Sequence, residues 1–333
     1  MKFNELTDLA ASRLGGEVLF ANDEFFAPKR NLLKPEAPIF IPDKYTSRGK
    51  WMDGWETRRC RQPAFDWCVI KLGLRGIVRG VTVDTSHFTG NYPEHCSIEA
   101  LDLHGNAGKR WAEEDAPWTE ILQKSPLQGG SQNTMPVRSE LPWSHLRLKI
   151  YPDGGVARLR VHGEVVPDWD SLRRRKCLLD LAAVENGGMA VLGSDMYFGH
   201  RNNLIMPGRS KNMGDGWETK RRRGPGHDWV ILRLGAPGAL EKIEVDTSHF
   251  KGNYPDSCSM DGATVWGPSP EALKSAPVPI EWEEILPKTN LKPHARHQFT
   301  DLKTTKPFNH VRFHIYPDGG VARLRLYGRP AKA

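Results

Sequence analysis

Two polar phrases occur twice in this chain, and they hold the side chains able to move protons or grip an anion. "DGWETRR" at Asp53 and "DGWETKR" at Asp215 present a carboxylate, Glu56 or Glu218, beside basic residues. Arg58, Arg59 and Arg221 can clamp a planar anion through paired N–H donors. "VDTSHFTGNYP" at Val83 and "VDTSHFKGNYP" at Val245 set Asp84 and His87, or Asp246 and His249, among hydroxyls, then add Asn91 and Tyr92, or Asn253 and Tyr254. An acid, an imidazole and hydroxyls so close in sequence offer a proton donor, a proton acceptor and hydrogen bonds to a polar ligand. A third phrase, "IYPDGGVARLR", returns letter for letter at Ile150 and Ile315 and supplies Arg158 and Arg323.

Each phrase also has a plainer structural meaning. Asp-Gly is a turn dipeptide, so Trp55 could plug a core edge and leave Glu56 solvated. Asp84 could close an Asx turn with His87 half-buried beside it. Pro-Asp-Gly-Gly is hairpin grammar, and Arg158 and Arg160 alternate with apolar residues as on an outer sheet face. Several chemistries are excluded. Ser86 and His87 are adjacent and would point opposite ways in a strand, and GxSxG is absent, which removes a serine hydrolase. The glycine-rich loops lack phosphate-cradling spacing. HExxH, CxxC and HxH are also missing, so no metal motif is present; a divalent metal stays possible, with Asp84 and His87 as candidate ligands and others borrowed from the neighbouring loops.

The elements that position these residues are written as a tandem repeat. "DLAASRLGG" at Asp8 returns as "DLAAVENGG" at Asp180, "DEFFAPKRNLL" returns as "DMYFGHRNNLI" at Asp195, and "WTEIL" at Trp118 returns as "WEEIL" at Trp282. A unit near 160 residues is too long for a solenoid repeat and suits a self-sufficient domain. The expected division is a first copy over 1–165, a linker over 166–178 and a second copy over 179–333. Within each copy the dominant period is two: Leu146, Leu148 and Ile150 oppose His145, Arg147 and Lys149. Short strands between Gly, Pro, Asn and Asp turns predict an all-β fold, one jelly-roll sandwich of about eight strands per copy. The spacing of Leu178, Leu181 and Ala182 predicts a short helix between Leu172 and Ala183, matched by "LTDLAAS" in the first copy.

Composition narrows the partners. Of 333 residues, 38% are hydrophobic and 26% charged, a globular balance, and nowhere do 18 apolar residues run together. No membrane association is expected. The start has no cationic, apolar leader, and the five cysteines are odd in number without CxxC, a pattern suited to a reducing cytoplasm. Lys plus Arg exceed Asp plus Glu by 47 − 40 = 7. The basic runs "RRRK" and "KRRR" are short and no recognition motif accompanies them, so no nucleic-acid partner is expected.

Taken together, "DGWETRR", "DWVILRLG", "VDTSHFKGNYPDSCS" and "IYPDGGVARLRLYG", each present twice in closely similar form, resemble the allantoicase family from Asp8 to Gly328. The resemblance implies two galactose-binding-like jelly rolls and hydrolysis of allantoate to ureidoglycolate and urea, a step of purine-nitrogen recovery. Allantoate carries one carboxylate and two ureido groups. Arg58, Arg59, Arg158, Arg221 and Arg323 are candidates for the carboxylate, and Asn91, Tyr92, Asn253 and Tyr254 for the ureido groups. Glu56, Asp84 or His87, or Glu218, Asp246 or His249, would protonate the departing nitrogen while another group activates water. Phe65 stands where the second copy has His227, so the copies are not equivalent. A homo-oligomer is expected. The competing possibilities are a non-catalytic glycan or small-ligand module and a basic-loop interaction protein.

Overall fold

The computed structural model describes residues 3–61, 64–103, 110–113, 115–265, 273 and 280–331. The chain divides into two compact units, one running to Val166 and the other starting at Pro167. Each is built on one eight-stranded antiparallel sheet. In the first unit the organising element is the 19-residue strand Asp66–Asp84. Its first half pairs with Pro142–Tyr151, setting Ile70 against Leu146 and Cys68 against Leu148, and also with Glu17–Ala21. Its second half pairs instead with Arg158–Val165 and Gln132–Pro136. The strand thus crosses from one layer of the sandwich to the other. His95–Leu101 and Thr119–Pro126 extend the first layer, and Thr7–Asp8 extends the second.

Glycine permits this crossing. A Cβ on Gly76 would sit 2.3 Å from the Glu164 carbonyl oxygen, so the close approach of the two backbones requires a residue without one. The period-two residues then meet between the layers: Cys68, Ile70, Val81, Val83, Ile98, Leu146, Leu148, Ile150, Leu159 and Val161 are all fully buried. Asp228–Asp246 plays the same part in the second unit, pairing first with Pro307–Tyr316 and Met189–Gly193, then with Arg323–Pro330 and Arg296–Phe299. Both units are the jelly-roll sandwiches that the strand pattern predicts.

The helix expected over Leu172–Ala183 is not there. The helix is Trp169–Arg174, started by Asp168, whose carboxylate accepts the Ser171 amide. Leu179–Asp180 is a short strand, and Leu181 donates its amide to the Leu326 carbonyl. Of the spacing Leu178, Leu181 and Ala182, Leu181 and Ala182 are fully buried at a sheet edge, where Asp180 caps the Ala182 amide in a turn, and Leu178 is half-buried. The matching "LTDLAAS" likewise opens with the strand Thr7–Asp8.

Candidate active site

Beside each sandwich lies a second sheet of two strands, and it carries the repeated carboxylate. Trp55–Glu56 pairs with Gly155–Val156, and Trp217–Glu218 pairs with Gly320–Val321. Trp55 and Trp217 are fully buried, each donating its indole N–H to the carbonyl of Asp23 or Asp195. With the tryptophan locked inward, strand alternation turns the glutamate outward. There it meets the loop of the other phrase: Asn91 donates to the Glu56 carboxylate at 2.7 Å, and Asn253 to Glu218 at 2.5 Å. Burial pushes the Glu56 carboxyl above the usual glutamate range, partly offset by the Asn91 bond.

The rest of the "VDTSHF" phrase builds the loop. Asp84 and Asp246 are buried and accept the amides of Ser86 and Ser248, both at 2.8 Å. Thr85 donates its hydroxyl to the carbonyls of Gln128 and Ser131, and Thr247 to those of Lys292 and Ala295. Phe88 and Phe250 are buried against the two-stranded sheet, and a Cβ on Gly155 would lie 2.0 Å from the Phe88 ring. His87 and His249 are left-handed, at φ 71° and 74°. Their Nε2–H groups donate to the carbonyls of Pro38 and Ser210 at 3.2 and 3.0 Å. Of this phrase only Asn91 and Asn253 reach the glutamate with a hydrogen bond.

The arginines divide in two. Arg158 and Arg323 do not stand on an outer sheet face: both are buried, ion-paired with Asp53 at 2.6 Å and Asp215 at 2.8 Å. Burial alone would raise the Asp53 carboxyl, but hydrogen bonds from Arg158 and Lys34 outweigh it and hold it below the usual range. Arg58 is exposed and paired with Asp23 at 2.6 Å. Arg59 and Arg221 are exposed at matching places, and Arg221 lines a cavity.

That cavity, of ≈ 320 Å³, joins Glu218, Arg221, Asn253 and Tyr254 in the second unit. Phe198, Thr219, Asp256 and Asp318 complete its wall and were not singled out from the sequence. Their signal was available: Phe198 belongs to the "DMYF" repeat and Asp318 to "YPDGG". In the first unit Tyr92 packs against the core, and a different cavity of ≈ 500 Å³ opens between Phe25, Lys29, Arg30 and Arg48. Among the described residues no three His, Cys, Asp or Glu side chains gather as a metal centre. The donors considered for one are engaged, Asp84 by the Ser86 amide and His87 by the Pro38 carbonyl.

Fold and site define a duplicated jelly-roll protein with a carboxylate, a guanidinium and a carboxamide converging on a cavity of small-molecule size. The chain belongs to the allantoicase family: the model of the Allantoicase repeat matches residues 7–166 and again 179–331. It is 48% identical over 322 residues to "Probable allantoicase 1" of Burkholderia mallei, covering 96% of this chain and 94% of that one. It is 47% identical to "Allantoicase" of Dictyostelium discoideum, covering 97% and 87%. The crystal structure of allantoicase from Saccharomyces cerevisiae superposes with a TM-score of 0.80 at 38% identity, over 97% of this chain and 92% of that one.

Proposed function

We infer that the chain is an allantoicase, hydrolysing allantoate to ureidoglycolate and urea, with the Glu218 cavity of the second unit as its reaction site. The observation that carries the site is the Glu218–Asn253 pair opening on the same cavity as Arg221. Arg221 takes the allantoate carboxylate with its fork of N–H donors. Asn253 and Tyr254 meet the ureido groups with amide and hydroxyl hydrogen bonds.

Glu218 then acts on the departing nitrogen. As it delivers a proton there, the lone pair of the other ureido nitrogen forms a C=N bond to the central carbon, and the C–N bond to urea breaks. Water adds to that carbon, surrendering a proton to Glu218 while the remaining ureido nitrogen regains its lone pair. Proton transfer by a placed carboxyl contributes about 10² to 10⁴ in rate. Glu56, Arg59, Asn91 and Tyr92 are the first unit's counterparts; Asp84, His87, Asp246 and His249 shape the loops, and Arg158 and Arg323 hold the turns at Asp53 and Asp215 through ion pairs.

The test is urea release from allantoate. Catalysis lost in Glu218→Gln, and KM raised in Arg221→Ala, support the assignment; wild-type kinetics in both would end it. The finer assignments are a cytoplasmic location, supported by Cys68, Cys96, Cys177 and Cys258, none of them in a disulfide, and a homo-oligomer, supported by exposed Ile39, Phe40, Ile41 and Tyr45. Cell fractionation and light scattering check them. No helix among the described residues is long and apolar enough to cross a membrane.

A further inference from the structure

The second unit contains a chain of side chains that the first lacks. His227 Nε2 and His314 Nδ1 face each other at 2.8 Å, and His314 Nε2 lies 2.9 Å from the Asp261 carboxylate. Arg312 reaches the same carboxylate at 2.9 Å. Phe65, Lys149 and Glu99 stand at the matching positions of the first unit. There Lys149 pairs directly with Glu99, and Phe65 packs on Tyr151 at 5.5 Å between ring centroids.

The acid sets the direction of the hydrogen bonds. Ionised Asp261 accepts from His314 Nε2–H, which leaves the lone pair of His314 on Nδ1 to accept from His227 Nε2–H. Arg312 reaches the carboxylate through one terminal nitrogen, and its Nε lies 3.1 Å from His314 Nε2. With either placement of the ring protons His227 and His314 share one hydrogen bond, and His227 is tied through His314 to a strand of the sandwich.

What His227 ties down is one end of the segment that forms the cavity wall. Thr219 and Arg221 line the cavity, and the Arg222 amide donates to Asp318 at 2.8 Å. Residues 223–226 are exposed, and Gly226 sits at φ +108°. Without packing of their own, these four residues need an anchor beyond them. The Arg222 guanidinium on Asp228 and the His227 chain provide it. In the first unit Cys60 and Phe65 replace Arg222 and His227, and the shared anchor is the Cys60 amide on Asp153 at 2.7 Å.

The geometry points to His227 as a positioning residue: held by His314 and Asp261, it fixes the segment that presents Arg221 and makes the second unit the one that binds substrate tightly. This rests on Arg221 as the carboxylate clamp. A loosened clamp weakens substrate binding and leaves the proton transfer at Glu218 in place, so the effect falls on KM.

Steady-state kinetics of the full chain with allantoate test it. His227→Phe raises KM about tenfold with kcat within about twofold, and Asp261→Asn shifts KM the same way. His227→Gln keeps a donor towards His314 and restores most of the affinity, a rescue that loss of packing alone would not give. Phe65→Ala leaves KM unchanged. The first unit already packs a phenylalanine on its tyrosine here, so His227→Phe retains a ring against Tyr316; unchanged thermal midpoints confirm that both variants fold. Wild-type KM in folded His227→Phe and Asp261→Asn, with KM raised in Arg221→Ala, overturns the positioning role alone. Wild-type KM in Arg221→Ala overturns the clamp assignment beneath it.

Discussion

Asn91 donates its side-chain amide to the Glu56 carboxylate at 2.7 Å across 35 positions of sequence, and Asn253 repeats the contact on Glu218. The two repeated phrases are therefore halves of one device. The first supplies a carboxylate on a strand whose tryptophan fixes its direction. The second supplies a loop rigid enough to bring a carboxamide to it. A carboxamide can hold one carboxylate oxygen by its N–H while its own carbonyl stays available to a ureido N–H.

Glu218→Gln keeps the size and the bond to Asn253 through its carbonyl but removes the proton that urea departure needs. The expected outcome is a kcat lower by about 10² to 10⁴ with KM little changed. Asn253→Ala leaves the carboxylate unheld and raises KM as well. Urea release measured across substrate concentration separates the two.

Much of this was legible in the sequence because the chain compares itself with itself. Period-two patterning in "HLRLKIY" and the glycine-rich turns predicted the sandwich, and the duplicated polar phrases contained the Glu–Asn pair. Arg158 shows what was not legible. Its alternation with Ala157 and Leu159 is that of an outward residue, yet its guanidinium lies buried on Asp53, over a hundred positions away. A single strand pattern cannot show that a loop folds over its outer face. The role of "VDTSHF" was masked for a related reason. Asp, Thr, Ser and His suit chemistry and turns equally well, and only the folded loop shows Asp84, Thr85 and His87 bonded to backbone groups.

The Asp53–Arg158 pair gives a stability prediction. Arg158→Met leaves a buried carboxylate with Lys34 as its remaining cation, at 2.8 Å. Breaking one partner of a buried pair costs about 3 to 5 kcal/mol, and Lys34 places this case near the lower end. Urea denaturation of the variant should report it, and Asp53→Leu combined with Arg158→Met should recover most of the loss. A double variant as unstable as the single one would contradict the account.

Metal dependence is decided by chelation. Asp84 Oδ1 accepts from the Ser86 amide and His87 Nε2 is bonded to the Pro38 carbonyl, and among the described residues no third His, Cys, Asp or Glu side chain joins them in a metal-binding group. A divalent centre needs several free donors in one shell. The expected result is that exhaustive dialysis against a chelator leaves urea release unchanged and that added divalent ions do not raise it. Activity lost on dialysis and restored by one ion would reassign the site's chemistry.

Acid destabilisation should arise at buried His310 and half-buried His145 of the sandwiches. His310 is only 5% exposed, and burial, helped by the charge of Arg233, lowers its pKa from 6.5 to about 4. His145, its counterpart in the first unit, is lowered for the same first reason, with Lys71 adding to it. In the unfolded chain both titrate near the ordinary value of about 6.5. Between there and pH 4 the unfolded state binds protons that the folded state refuses, so stability is full above the unfolded value and falls as pH drops through this window. For His310 the loss approaches roughly 3 kcal/mol by pH 4, taking 1.36 kcal/mol per unit. His310→Leu removes the titration while Asn309 keeps its bond from the Val265 amide at 2.8 Å. The urea midpoint of the wild type should therefore fall further than that of the variant as the pH is lowered from 7 to 4.5. Parallel declines would mean that the imidazole is not the group resisting protonation, and would point instead to the carboxylates that Arg158 and Arg312 hold ionised.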